Sequence, residues 1–115
     1  MCPSISGSSS AIAYLTPDVL KRPNLTVVTD VFVEKILFAT EAETPRAIGV
    51  QVAASLKALK YCVAARREVV LCAGAISSPH LLFVSGIGSA DHLTTVDISM
   101  VKNLPAVGKH LLDVL

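Results

Sequence analysis

The sequence predicts an α/β protein in which an antiparallel β-meander is followed by a buried strand and a helix. Three segments between residues 30 and 65 alternate apolar side chains with other residues and are separated by short polar turns, which is typical of a meander. A continuous apolar run comes next, and after it a segment bounded by proline and glycine that suits a helix. Strands and a helix in this order favour a mixed, layered fold.

Composition limits the classes of protein to which the chain can belong. Its 115 residues are 52% hydrophobic and 17% charged, which predicts one folded domain with more apolar surface than so short a chain can bury. We therefore expect part of that surface to pack against further protein. The net charge of +1 and an aromatic content of 4% argue against nucleic-acid binding.

The first segment, residues 1–22, reads as a helical lead-in. Ser8 to Ser10 can cap a helix from Ala11 to about Leu20, and Pro17 is expected to shorten or kink it.

Residues 23–66 are expected to form strands and the meander. The stretch RPNLTVVT predicts a first strand because it turns through Pro-Asn into β-branched residues. Three alternating segments follow, and we expect them to pair as an antiparallel sheet: DVFVEKILFAT, ETPRAIGVQVAAS and LKYCVAA.

Residues 67–88 are expected to hold the buried strand and the helix. The strand, Arg67 to Gly74, is continuously apolar after its first residues, and Cys72 within it reads as a small core residue. For the helix, Ser78 suits the N-cap, Pro79 the first helical position and Gly86 the position just past the end.

The glycine pair Gly86-Ile87-Gly88 resembles part of a dinucleotide-binding turn. A phosphate-binding GxGxxG needs a preceding strand and a small residue in its sixth place, where this chain has Asp91. We therefore expect the pair to end a helix instead of binding phosphate. Residues 89–115 form a C-terminal segment.

Other kinds of site are disfavoured. Cys2, Cys62 and Cys72 form no CxxC pair and lack neighbouring histidines, so no metal site is expected. No GxSxG supports a hydrolase. The longest apolar window is interrupted by polar residues and proline, so no membrane span is expected. The histidines at positions 80, 92 and 110 are the only candidate bases near neutral pH.

The segment GAISSPHLLFVSGIG, Gly74 to Gly88, resembles the second signature of the glucose-methanol-choline (GMC) family of FAD-dependent oxidoreductases. Its neighbours RPNLTVVTDVFVEKILF, RAIGVQV and REVVLCAGAI are similar to the family's sequence in the same order. The last segment, NLPAVGKHLLDVL, is similar to the family's Gly-x-Asn-Leu-x-Asp-His. There His110 replaces the asparagine and Val114 the final histidine.

This resemblance implies a fold, a cofactor and a reaction. The fold would be part of an FAD/NAD(P)-binding Rossmann-like domain, spanning residues 1–115. The cofactor would be FAD, contacted by the backbone of Val33. Ala73 and Gly74 are also expected to bind the cofactor, because they end the predicted buried strand at its carboxyl end, where open α/β sheets place ligands. A small residue and a glycine there let the backbone approach a nucleotide. The complete enzyme would oxidise the CH–OH group of a small-molecule alcohol substrate.

The resemblance covers a middle slice of the family, so we expect a fragment that is inactive alone. The family's GxGxxG and its late catalytic histidine pair are not matched, and no histidine of this chain falls at the catalytic position, so we assign no catalytic residue. The expected partner is the remainder of the enzyme, with no nucleic acid and no membrane. The alternative is a non-catalytic sheet module that binds a protein partner through an exposed apolar face.

Overall fold

The computed structural model describes residues 9–41, 43–55 and 57–109. They divide into two compact units between Asp30 and Val31. The first unit contains two short helices, α1 (Ser10–Tyr14) and α2 (Pro17–Leu20). The second contains all the strands and two further helices.

The lead-in is two helices and not the single helix that the sequence predicts. Ser9 caps α1, because its Oγ accepts a hydrogen bond from the Ile12 N–H at 3.3 Å. Pro17 begins α2 at a position where a missing N–H is harmless. Proline therefore ends the first helix and starts the second.

The strand predicted within RPNLTVVT is absent, so this prediction is wrong. Residues 25–29 have no regular structure, and Val28 is 64% exposed. β-Branched residues favour a strand only where a neighbouring strand pairs with them. Among the described residues no segment pairs with this one.

The antiparallel meander is confirmed. Its strands are β1 (Phe32–Ala39), β2 (Arg46–Ala53) and β3 (Lys60–Ala64), and each pairs with the next in the order β1-β2-β3. β1 is therefore an edge strand. Its register shifts twice, once between Val33 and Lys35 and once between Leu37 and Phe38.

The buried strand predicted over Arg67–Gly74 is also wrong. Residues 67–73 carry no strand, Val70 is 73% exposed and Cys72 is exposed and not part of the core. A strand that is apolar on both faces needs neighbouring layers to cover it. The described residues supply none over this segment.

Helix α3 (Gly74–Val84) is confirmed, but it begins four residues earlier than the predicted N-cap. Ser78 lies inside the helix, where its Oγ accepts a hydrogen bond from the Ala73 N–H at 3.1 Å. Pro79 lies inside the helix, where it has no N–H to donate to the carbonyl of Ala75, so one i→i−4 hydrogen bond is missing there. The predicted end is correct, since Gly86 follows the helix with a φ of 86°.

The rest of the second unit packs around the end of α3. Strand β4 (Ile87–Gly88) pairs in parallel with β5 (Lys102–Asn103), and helix α4 (Ala90–Thr95) lies between them in the chain. The core is small, and its buried apolar residues are Ile36, Ala53, Leu81 and Leu93. Within the described ranges, no helix has the length and apolar character needed to cross a bilayer.

Candidate functional site

A cavity of about 1430 Å³ lies between β1 and α3 in the second unit. The amino-terminal half of β1, residues of β2 and residues 70–73 form one part of its wall. One side of α3 forms the other, through Ser77, His80, Leu81 and Val84. An open cavity with mostly apolar walls and a few polar groups is typical of a site for a large organic ligand.

Two of the three residues assigned to the cofactor meet at this cavity. Val33 and Ala73, which are 40 positions apart in the sequence, both line it. Gly74 follows Ala73 as the first residue of α3 and has a φ of 90°. Among the described residues, no atom outside its chain neighbours and its own helix backbone lies within 4 Å of the point where a Gly74 Cβ would stand, so this backbone is open to a ligand.

The backbone N–H and C=O of Val33 face the free edge of β1, away from β2. The Ile36 N–H leaves the sheet on the free edge of β1, because it donates a hydrogen bond to Ser85 Oγ at 2.8 Å. Ile36 pairs with Val50, and Val33 pairs with Val52. Val50 and Val52 are two positions apart in β2, so their backbone N–H and C=O groups point in the same direction. Peptide groups alternate along an antiparallel ladder, and those of Val33 therefore also face the free edge.

Ser85 accepts the outward N–H of Ile36 at this edge. At Val33 the same edge borders the cavity. The Ser85 hydroxyl also donates a hydrogen bond to the Leu81 carbonyl at 2.6 Å, so one buried side chain joins α3 to β1. This role could not be predicted from the sequence, because a serine in a signature motif gives no indication of which strand it contacts.

A charged cluster lies on the cavity wall. Glu34 Oε2 accepts hydrogen bonds from Gln51 Nε2 at 2.7 Å and from Lys60 Nζ at 2.9 Å. The hydrogen bond from Lys60, and then that from Gln51, holds the pKa of Glu34 below its ordinary value of 4.5. This cluster also could not be predicted from the sequence, because Glu34, Gln51 and Lys60 are brought together only by the pairing of three strands.

The glycine pair has a structural role, as predicted. A helix precedes it and not a strand, so the arrangement of a phosphate-binding turn is absent. A Cβ on Gly86 would meet the Ser99 carbonyl oxygen at 2.5 Å, and a Cβ on Gly88 would collide with the Phe83 ring. Both glycines are needed for close packing behind α3.

The described histidines show no catalytic arrangement. His80 is exposed on the cavity wall, and His92 packs edge-on against Phe83 with ring centroids 5.0 Å apart. His110 and Val114, where the sequence departs from the GMC pattern, lie outside the described residues, as does Cys2. In the portion that the structure covers, no group of three acidic, histidine or cysteine residues could hold a metal ion.

Comparisons with known proteins identify the family of the chain. The family model described as GMC oxidoreductase matches residues 1–115. The chain is 47% identical over 107 residues to an oxygen-dependent choline dehydrogenase from Stenotrophomonas maltophilia, covering 92% of this chain and 18% of that protein. It is 46% identical over 105 residues to the mitochondrial choline dehydrogenase of Mus musculus, covering 91% and 16% respectively.

Solved structures give the same result. A pyridoxine 4-oxidase from Mesorbium loti matches with a TM-score of 0.69 and 34% identity over 83% of this chain and 17% of its own. An FAD-dependent oxidoreductase from Chaetomium thermophilum matches with a TM-score of 0.65 and 33% identity over 73% and 14%. The chain thus spans less than a fifth of the length of these relatives. Over that span its sequence, its fold and its signature helix make it a member of the GMC oxidoreductase family.

Proposed function

We propose that this chain is a piece of the FAD-binding domain of an oxidoreductase that acts on the CH–OH groups of alcohol donors, and that it contributes contacts to the adenine side of FAD. The family match and the FAD-dependent oxidoreductase among the structural relatives support FAD as the cofactor. The observation that carries the proposal is the meeting of Val33 and Ala73 at one cavity.

The residues present fit an adenine ring. The peptide of Val33 offers an outward N–H and C=O at the open edge of β1, and adenine has both acceptors and a donor on its edge. Ala73 and Gly74 present little side-chain bulk, so a flat ring can approach their backbone. FAD, when bound in a complete enzyme, would accept a hydride from the alcohol carbon.

A calorimetric titration of FAD into the purified chain, with ADP as the control ligand, tests this proposal. We expect both ligands to bind with similar affinity, because the proposed contacts involve only the part that the two molecules share. Absence of heat with either ligand, from a chain shown to be folded by circular dichroism, would contradict the proposal.

A pair of variants locates the contact. Val33→Pro removes the N–H that faces the open edge and leaves the ladder to β2 intact, whereas the control Val33→Ala keeps that N–H. Loss of one peptide hydrogen bond should weaken ADP binding about 3- to 10-fold in the proline variant, with little change in the alanine variant. Equal affinities in both variants would place the ligand elsewhere.

The alternative, a non-catalytic sheet module, is favoured by a separate observation. Tyr61 and Val63 on β3 are 61% and 54% exposed, and they pair with Val52 and Val50 of β2 on one apolar face of the meander. Such a face suits a protein partner, including the remainder of a longer enzyme. Monomeric, folded chain without affinity for FAD or ADP would favour this second function.

A further inference from the structure

Three polar side chains form a line across the meander, with one on each strand. Glu34 of β1 lies beside Gln51 of β2, and Lys60 of β3 completes the line by reaching the same carboxylate oxygen as Gln51. The Glu34 side chain is only 20% exposed. Opposite charges and a hydrogen-bonded amide on neighbouring strands stabilise one pairing of those strands over others.

The carboxylate lies at the point where the register of β1 shifts. Val33 pairs with Val52 and Lys35 with Gln51, so two steps along β1 correspond to one step along β2. Glu34 is the extra residue of a β-bulge. Glu34 and Lys35 both lie opposite Gln51. The side chain of Glu34 is therefore on the face of the sheet where Gln51 and Lys60 lie.

In a register without the bulge, the N–H and C=O of Val33 would point in the opposite direction. Val33 would then pair with Ala53, and its peptide would turn toward β2, since peptide direction alternates with each position. Glu34 would face Val52 on the opposite side of the sheet, out of reach of Gln51. The contacts of the carboxylate therefore exist only in the bulged register.

Burial of apolar side chains does not select between these registers. Phe32 is 68% exposed and Val33 is 44% exposed, so neither side chain is fixed by the core. Where burial is weak, register is weakly specified and polar contacts decide it.

We infer that Glu34 is a positioning residue, which acts through Gln51 and Lys60 to fix the bulge that turns the Val33 peptide toward the cavity. This inference rests on the proposed function, because the oriented peptide is the one expected to meet adenine. Glu34 itself need not touch the ligand. Its role is to hold the strand in the register that presents the backbone.

Nuclear magnetic resonance on the full chain tests the register directly. Val33 and Val52 form a pair without mutual hydrogen bonds, so their α-protons lie close and give a strong cross-strand contact. We expect this contact to persist in Glu43→Gln, a control that removes an exposed carboxylate from the β1–β2 turn. In Glu34→Ala it should be lost and replaced by a contact between position 34 and Val52.

Two milder variants guard against simple unfolding. Glu34→Gln keeps the size of the side chain and loses its charge, and Lys60→Met keeps the apolar stem and loses the cation. Both should weaken the contact between Val33 and Val52 without abolishing the sheet. An unchanged contact in all three variants would overturn the inference.

Titration of ADP into the same variants separates the two proposals. Affinity should fall about tenfold wherever the Val33–Val52 contact is lost, and it should stay unchanged in Glu43→Gln. If the register shifts and the affinity does not, the positioning of the bulge stands and the adenine site at Val33 fails. If the wild-type chain binds no ADP, the register measurement alone still decides the inference.

Discussion

At the scale of single residues, the Ser85 hydroxyl holds the helix and the sheet together. It accepts a hydrogen bond from the Ile36 N–H at 2.8 Å and donates one to the Leu81 carbonyl at 2.6 Å. Ser85 is 6% exposed, and Ile36 is buried to the same degree. Because Ile36 is on the free edge of β1, no strand satisfies this N–H, and a side chain from α3 does so instead.

We expect Ser85→Ala to lower the free energy of unfolding by about 1–3 kcal/mol, because it leaves the buried Ile36 N–H without a partner. Urea denaturation followed by circular dichroism measures this change. Ser77→Ala, which alters an exposed serine on the same helix, is the control and should change stability by less than about 0.5 kcal/mol. Equal stability of the two variants would show that water or another group replaces the hydroxyl.

At the scale of elements, α3 lies between two glycines that are required for different reasons. Gly74 begins the helix with a φ of 90° and has open space around it, so only its backbone conformation requires glycine. Gly86 follows the helix with a φ of 86°, and a Cβ on it would stand only 2.5 Å from the Ser99 carbonyl oxygen. The first glycine supplies a backbone conformation at the start of the helix, and the second also allows the chain to pack behind it.

This difference predicts unequal costs for the same substitution. Gly74→Ala should cost only the left-handed backbone strain, about 1–2 kcal/mol. Gly86→Ala should cost more than Gly74→Ala, because a backbone oxygen must also move to make room for the methyl group. Thermal unfolding of the two variants provides the comparison, and a smaller loss for Gly86→Ala would show that the 99–101 segment shifts easily.

At the scale of the whole molecule, apolar surface exceeds what the described residues cover. Ile76, Leu59 and Val70 are 78%, 76% and 73% exposed, whereas the fully buried side chain of Leu93 is exceptional. This much exposed apolar surface is expected of a chain that packs against other protein. The chain spans only 16–18% of the length of the two choline dehydrogenases. Apolar surface that the described residues leave exposed is expected for so small a part of such a protein.

We expect the purified chain, supplied with FAD and choline, to show no oxidation of the alcohol. Its 115 residues include no GxGxxG and no histidine at the family's catalytic position, so neither the pyrophosphate nor the hydroxyl proton would be held for reaction. Anaerobic loss of flavin absorbance on addition of choline measures the reaction, with an intact choline dehydrogenase as the positive control. Bleaching by the chain itself would refute the expectation.

Local pattern was sufficient for the features that depend on neighbours in the sequence. The alternation of side chains predicted β1, β2 and β3 correctly, the glycine at position 86 predicted the end of α3, and Asp91 argued correctly against a phosphate-binding turn. The motif at 74–88 also led to the family. Each of these signals depends on backbone preferences or side-chain periodicity within a few residues.

Tertiary structure alone decided the features that depend on distant residues. The apolar runs at 25–29 and 67–73 read as strands, but a strand requires a hydrogen-bonding neighbour, and the described chain offers none. The bulge at Glu34, the outward peptide of Val33 and the bond from Ser85 to Ile36 all arise from pairing between segments far apart. The sequence by itself determined the meander, the end of α3 and the family to which the chain belongs. Strand register determined which backbone groups face the cavity, because a single-residue shift reverses their direction.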